Sequence, residues 1–200
     1  AGTIGYQGEI EWSYTITVTD TTTTPGLWTS AGSTSWSVGS NWDDGVVPTS
    51  AVSVTIPSGT AIPYLIVNST FNNLTIASGA TLRIGTGKTL TVGGTSDING
   101  TLFLYGSNTP AIVDANGTFD ATGGTIDFGS TYGRIKLGGT VTSLGTLDNA
   151  MGTIEYDGGG ESNVLAGSHS STYTGYTRGY YFKANSSFTV SGLYVPTDAS

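Results

Sequence analysis

An all-β chain wound as a parallel β-helix, or β-solenoid, is the fold this sequence predicts, and three observations predict it. The 200 residues include 31 glycines and only 10% charged residues, a composition that favours strands and tight turns over helices. No window sets apolar residues at i, i+3, i+4 and i+7 between capping residues, as an amphipathic helix would. Most specific is a recurring unit, a small residue, then Thr, then an apolar-x-apolar triplet. Its copies are SGATLRI, GKTLTV, NGTLFL, NGTFDA, GGTIDF, GGTVTS, LGTLDN and MGTIEY, with Thr81, Thr89, Thr101, Thr118, Thr125, Thr140, Thr146 and Thr153 at the equivalent place. They lie six to seventeen residues apart, too irregularly for a strict short-period solenoid, and their strands are too short for the hairpins of a sandwich. Short strands punctuated by single glycines suit three sheets wound into rungs of ~20 residues, each rung giving the next its backbone hydrogen bonds and an apolar floor.

The chain divides into residues 1–26, 27–165 and 166–200. In the first part, EIEWSYTITVTD alternates strictly. Ile10, Trp12, Tyr14, Ile16 and Val18 fall on one face of an extended strand, and Glu9, Glu11, Ser13, Thr15, Thr17 and Thr19 on the other. Thr21 to Gly26 follows as a spacer closed by the Pro25-Gly26 turn. The strand has no partner of its own pattern nearby, so it is expected to be orphaned or exchanged. Ala1 in place of Met fits a chain trimmed at a small-residue cleavage site, and both ends are expected to be held by a sheet.

The second part opens with Trp28, Trp36 and Trp42 set among Ser and Gly. The stretch precedes the first rung and is expected to cap its open edge; a sugar-stacking platform is the competing role for the three indoles. VSVTIP then makes a strand ending at Pro57, and the repeats run to about Gly160. The third part carries Tyr173, Tyr176, Tyr180 and Tyr181 and two candidate strands, GYYFKA and FTVSGLYVP. Two strands without a sheet are not stable alone, so this tail either lies on the solenoid or forms an incomplete sheet awaiting another strand. Tyrosine joins apolar area to a hydroxyl and is enriched at interfaces, which makes these four candidates for contact with another subunit.

The segment WTSAGSTSWSVGSNWDDGVVPTSAVSVTIPSG, with Trp36, Asn41, Trp42, Gly45, Pro48, Ile56 and Pro57 in place, resembles the opening of β-helical regions in large secreted surface proteins of Bacteroidota-type bacteria. The likeness covers about residues 27–165. The tail RGYYF…FTVSGLYVPTDAS is similar to the start of a β-domain in such proteins, which there continues further. The resemblance implies secretion, an extracellular or cell-surface location, and roles in adhesion or matrix, with no catalytic residues in its pattern. Asp20-Thr21-Thr22 is similar to the O-glycosylation signal of such bacteria, which makes Thr21 the glycosylation candidate.

Charge narrows the partners. Fourteen acidic against six basic residues give a net charge of -8, which opposes nucleic acid and anionic membrane surfaces, since both need clustered Lys and Arg. No apolar run approaches the ~20 residues of a bilayer span. With no cysteine, disulfides and thiolate chemistry are excluded. His169 is the sole histidine and stands in a Ser-rich loop with no nucleophile motif beside it. Asp114, Asp120 and Asp127 are the carboxylates that a polysaccharide-cleaving solenoid would have to cluster, but their turn-like contexts read as structural. Asp43 and Asp44 in NWDDG do not follow a calcium-loop spacing and read as a turn. Asn68, Asn73, Asn99, Asn116 and Asn185 begin sequons, which a chain rich in Asn, Ser and Thr generates by chance.

No catalytic residue, metal or cofactor is therefore expected. The sequence predicts a non-enzymatic extracellular structural protein that polymerises head to tail, residues 8–20 of one copy adding to the tail of the next. Its partners are then other copies of itself, joined through Ile10, Trp12, Tyr14, Ile16 and Val18 on one side and Tyr173, Tyr176, Tyr180 and Tyr181 on the other. The alternative is a carbohydrate-binding or adhesive module of a larger surface protein, with glycans as partners.

Overall fold

The computed structural model describes residues 22–129, 132–148, 152–157 and 182–184. Among them there is no α-helix, and the strands form three parallel sheets stacked as a solenoid of about five turns. β1 (Val54–Ile56), β2 (Tyr64–Leu65) and β3 (Ser69–Phe71) make the first rung, and β4 (Leu74–Ile76), β5 (Thr81–Ile84) and β6 (Thr89–Val92) the second. The third is β7 (Ser96–Ile98), β8 (Thr101–Leu104) and β9 (Ala111–Ala115), and the fourth β10 (Phe119–Asp120), β11 (Thr125–Asp127) and β12 (Gly133–Leu137). The fifth is β13 (Val141–Ser143), β14 (Thr146–Asp148) and β15 (Thr153–Tyr156), after which β16 (Phe182–Ala184) lies on β15. The first sheet runs β1-β4-β7-β10-β13, the second β2-β5-β8-β11-β14 and the third β3-β6-β9-β12-β15-β16. The all-β parallel solenoid expected from the repeats is thus the fold observed.

Alternation inside each strand decides which side chains enter the lumen. In TLRI of β5, Leu82 and Ile84 are buried while Thr81 and Arg83 face outward, and TLTV of β6 and TLFL of β8 repeat the pattern. Register then turns these positions into columns. Leu82, Leu102, Ile126 and Leu147 stack in the second sheet, and Leu90, Val113, Ile135 and Ile154 in the third. All eight are buried, each contributing about 1.5–3 kcal/mol relative to exposure.

The repeated threonines do not occupy one place, as the sequence pattern suggested, but three. Thr81, Thr101, Thr125 and Thr146 form one column on the second sheet. Thr118 and Thr140 precede first-sheet strands, where their carbonyls accept from the amides of Ser96 (2.7 Å) and Phe119 (2.8 Å). Thr89 and Thr153 belong to the third sheet. The motif marks a corner followed by a strand, and all three corners of a rung can be built that way.

At the corner entering the second sheet the backbones nearly touch. The amides of Thr101, Thr125 and Thr146 donate to the carbonyls of Ala80 (2.8 Å), Gly100 (2.9 Å) and Gly124 (2.9 Å). A Cβ added at Gly124 would overlap the carbonyl oxygen of Ile98. Glycine is what lets successive rungs close to hydrogen-bonding distance there. On the corner entering the first sheet an asparagine does related work, since Asn73 accepts from the Thr95 amide (2.8 Å) and donates to Ser53 Oγ (2.9 Å), bridging neighbouring rungs.

The tryptophan-rich stretch covers the edge of the first rung. The Gly26 carbonyl accepts from Thr55 (2.9 Å) and Trp28 donates to the Thr55 carbonyl (3.0 Å), while Tyr64 donates to Thr34 (2.8 Å) and Trp36 to Tyr64 (3.3 Å). Backbone from residues 26–36 therefore occupies the otherwise unpaired edges of β1 and β2. The indoles fill the lumen beneath it. Trp36 stands edge-on to Trp42, with centroids 4.7 Å apart, and stacks on Phe71 at 5.7 Å, while Trp28 is edge-on to Trp42 at 5.1 Å. Trp28 Nε1 donates to the Ala61 carbonyl (2.8 Å) and Trp42 Nε1 to the Trp36 carbonyl (3.0 Å). All three rings are buried, so none offers a face to a sugar.

Asn41 explains the Asn-Trp pair of this segment. Fully buried, its Oδ1 accepts from the amides of Gly32 (2.8 Å) and Ser33 (2.7 Å), and its Nδ2 donates to Ser33 Oγ (3.0 Å) and the Ser35 carbonyl (2.7 Å). A side chain with two acceptor sites and two donors is here fully used, and it pins the loop that presents Trp36. Asp43 and Asp44 likewise serve the backbone, accepting from the amides of Thr24 (2.8 Å) and Val46 (3.1 Å).

The opposite end differs between sheets. β13 and β14 are the last strands of the first and second sheets among the described residues, whereas the third gains β16, with Ile154 beside Phe182, Glu155 beside Lys183 and Tyr156 beside Ala184. Three residues of the predicted GYYFKA strand therefore continue the solenoid in parallel.

Candidate functional site

Several predicted site residues lie outside the described part of the chain: Ile10, Trp12, Tyr14, Ile16, Val18, Thr21, Tyr173, Tyr176, Tyr180 and Tyr181, as does His169, for which no role is expected. The three candidate aspartates are described and are not brought together. Asp114 is on the third sheet, Asp120 on the first and Asp127 on the second. Asp120 and Asp127 each accept the amide two residues on, from Thr122 (2.9 Å) and Gly129 (2.7 Å), the local turn expected of such carboxylates. Among the described residues no group of three or more His, Cys, Asp or Glu side chains is placed to hold a metal ion, and no helix is long and apolar enough to cross a membrane.

The outer face of the second sheet carries the densest chemistry. Register puts Tyr64 of β2 beside Arg83 of β5, Arg83 beside Phe103 of β8, and then Asp127 and Asp148 in the same column. Tyr105, just past β8, flanks it. The Arg83 guanidinium carbon is 4.6 Å from the Tyr64 ring centre, 5.6 Å from Phe103 and 4.4 Å from Tyr105. Each contact is a cation–π attraction of about 0.5–1 kcal/mol at such a surface. No ion pair joins Arg83 to a carboxylate among the described residues, and its Nε–H is buried with no hydrogen-bond partner. Beside it is a shallow hollow of about 300 Å³ lined by Thr34, Ile62, Tyr64, Thr81, Arg83 and Phe103. Ile62 and Tyr105 are 49% and 39% exposed, so the rim is apolar and wet.

Sequence reading missed this face, although it left a signal. In TLFLY the outward position between Leu102 and Leu104 is Phe103 rather than a polar residue, and Tyr105 follows. An aromatic on the solvent side of an alternating strand needs a reason of its own. What the sequence could not display is that Arg83, twenty residues earlier in register, lies between those rings.

The third sheet presents a different column, of alternating charge. Asp114 lies beside Lys136 and Lys136 beside Glu155. Glu155 is buried, with the Arg134 guanidinium 3.8 Å away. Burial foremost, then repulsion from Asp157, raises the Asp114 carboxyl above its ordinary 3.8, against the opposing pull of Lys136. A carboxyl so shifted keeps its proton in the folded chain after the unfolded chain has released it. The stability it contributes is complete below pH 3.8 and is lost as pH rises through the raised value. Asp114→Asn is expected to flatten that part of the profile, and Asp157→Asn to flatten it less, in urea midpoints followed from about pH 3 to pH 6. Parent-like profiles in both variants would contradict the assignment.

A family model described as a domain of unknown function, DUF8693, matches residues 27–134. The matched stretch contains the tryptophan cap and the Arg83 face. No curated protein matches the chain, and no solved structure does.

Proposed function

The chain belongs to the DUF8693 family, and from that premise we propose that it is a non-enzymatic structural subunit outside the cell, joined head to tail to further copies of itself. The observation that carries this reading is the asymmetry of the solenoid's two ends. At one end residues 26–36 occupy the edges of β1 and β2. At the other, β13 and β14 close their sheets without a further strand among the described residues. A parallel edge presents a row of free backbone donors and acceptors, the template to which an added strand binds. The amphipathic segment 9–20 has the strict alternation such a donor needs, and a head-to-tail contact of this kind propagates without closing. The outward carboxylates support a non-catalytic role, since Asp120 and Asp127 are committed to turns and Asp114 to a charge column.

Removal of residues 1–20 tests the proposal. Negative-stain microscopy and sedimentation should show filaments for the full chain and discrete particles for the shortened one. Filaments from both, or from neither, would remove the donor strand from the account. A second reading, a glycan-binding module, has the aromatic and cationic face of the second sheet in its favour.

A further inference from the structure

We infer that the Arg83 face binds an acidic saccharide, a uronate whose carboxylate meets the guanidinium while its ring lies against the exposed aromatic rim. The inference rests on the glycan-binding reading and goes further by naming the charge of the ligand and the residue that reads it. Arg83 is a cation without a carboxylate partner among the described residues, in a chain of net charge -8. Among the described residues its neighbours are the rings of Tyr64, Phe103 and Tyr105. Its Nε–H is buried, which leaves the outer edge of the guanidinium, Nη1 and Nη2, to meet an acceptor. The planar fork of a guanidinium matches a carboxylate with two parallel hydrogen bonds.

The shape favours a sugar over a peptide. An extended peptide joins a sheet through the backbone groups of an edge, whereas these residues stand on a sheet face, across three rungs of one column. A pyranose offers apolar C–H faces and peripheral hydroxyls, and this surface answers with the rings of Phe103 and Tyr105 and the outward hydroxyls of Thr81 and Thr101. The rungs repeat every ~4.8 Å, close to the length of one pyranose unit, so a single ring spans the step from one rung to the next. The hollow of about 300 Å³ is at the small end of ligand sites, room for a single ring. Asp127 and Asp148 continue the column beyond Phe103, and their charge limits a uronate to the Tyr64–Phe103 end.

Calorimetric titration of the full chain with oligogalacturonate and with its methyl ester, which removes the charge and keeps the ring, tests the inference. The acid is expected to bind at least about tenfold more tightly than the ester, the scale of a charged hydrogen bond. Arg83→Gln should bring the acid down to the level of the ester, Arg83→Lys should fall between, and Tyr105→Ala should weaken both ligands alike. Thermal melting of each variant checks that the fold is kept, and the acid–ester comparison in the unaltered chain needs no variant. Equal binding of acid and ester would overturn the inference and leave the glycan-binding reading standing. Binding of neither would overturn both.

Discussion

Gly124→Val is expected to cost the solenoid about 3 kcal/mol or more, the upper range for overpacking, out of a total of only about 5–15 kcal/mol. The first atom of any side chain at Gly124 overlaps the Ile98 carbonyl oxygen, and the Gly100 carbonyl oxygen is 3.0 Å away. Both obstacles are backbone, so neither can rotate aside. Relief requires two rungs to separate, which stretches the bond from the Thr125 amide to the Gly100 carbonyl (2.9 Å) and those beside it. Gly123 supplies the control. It has φ +79° and open space where a Cβ would stand, so Gly123→Ala meets only the conformational penalty of the left-handed region, roughly 1–2 kcal/mol. Urea midpoints of the two variants separate lack of space from backbone strain. A Gly124→Val protein as stable as the Gly123→Ala protein would contradict the stacked-corner account.

Trp36→Ala should be comparably severe, about 3–5 kcal/mol. Trp36 is fully buried and is the ring that joins the cap to the first rung, with Trp42 on its edge and Phe71 against its face. Its removal empties the lumen where the solenoid would otherwise meet water. Rungs contact chiefly their neighbours, so stability is carried along the stack and a damaged cap is felt first by the rung it covers. Hydrogen exchange in β1 and β2 should accelerate before that in β11 or β12. The indole Nε1 of Trp36 is buried without a partner, so Trp36→Phe loses volume but relieves an unsatisfied donor and should cost much less. Uniform exchange across all five turns in Trp36→Ala would show that the cap is not a separate layer.

Much of this fold was legible in the sequence because the signals are local. Alternation in TLRI, TLTV and TLFL assigns each side chain to lumen or solvent within a single strand, and glycine before threonine marks a corner wherever it occurs. The cap was legible for a different reason. Three large apolar rings set just before the first rung pointed to a cap over its edge, whereas the bonds by which Asn41 pins the loop appear only in the structure. The candidate site was not legible, because its members are related only through register. Arg83 reads as an ordinary outward cation until β2 and β8 are laid on either side of it, while Asp114, Asp120 and Asp127, read as turn carboxylates, are separated by a corner between each pair.

The sequence by itself therefore determined the class of fold, the inward face of each strand, the corners and the cap. The tertiary structure decided the columns. Leu74 pairs with Val54, Ser96 with Leu74, Phe119 with Ser96 and Val141 with Phe119, steps of unequal length because the connections between sheets take different numbers of residues. A residue's phase within its strand depends on the two-residue pleat and survives such changes. Its neighbours above and below depend on the summed length of a whole turn, which is fixed only when backbone hydrogen bonds lock one rung onto the next. That locking put Arg83 among Tyr64, Phe103 and Tyr105, and set the three aspartates on three separate sheets.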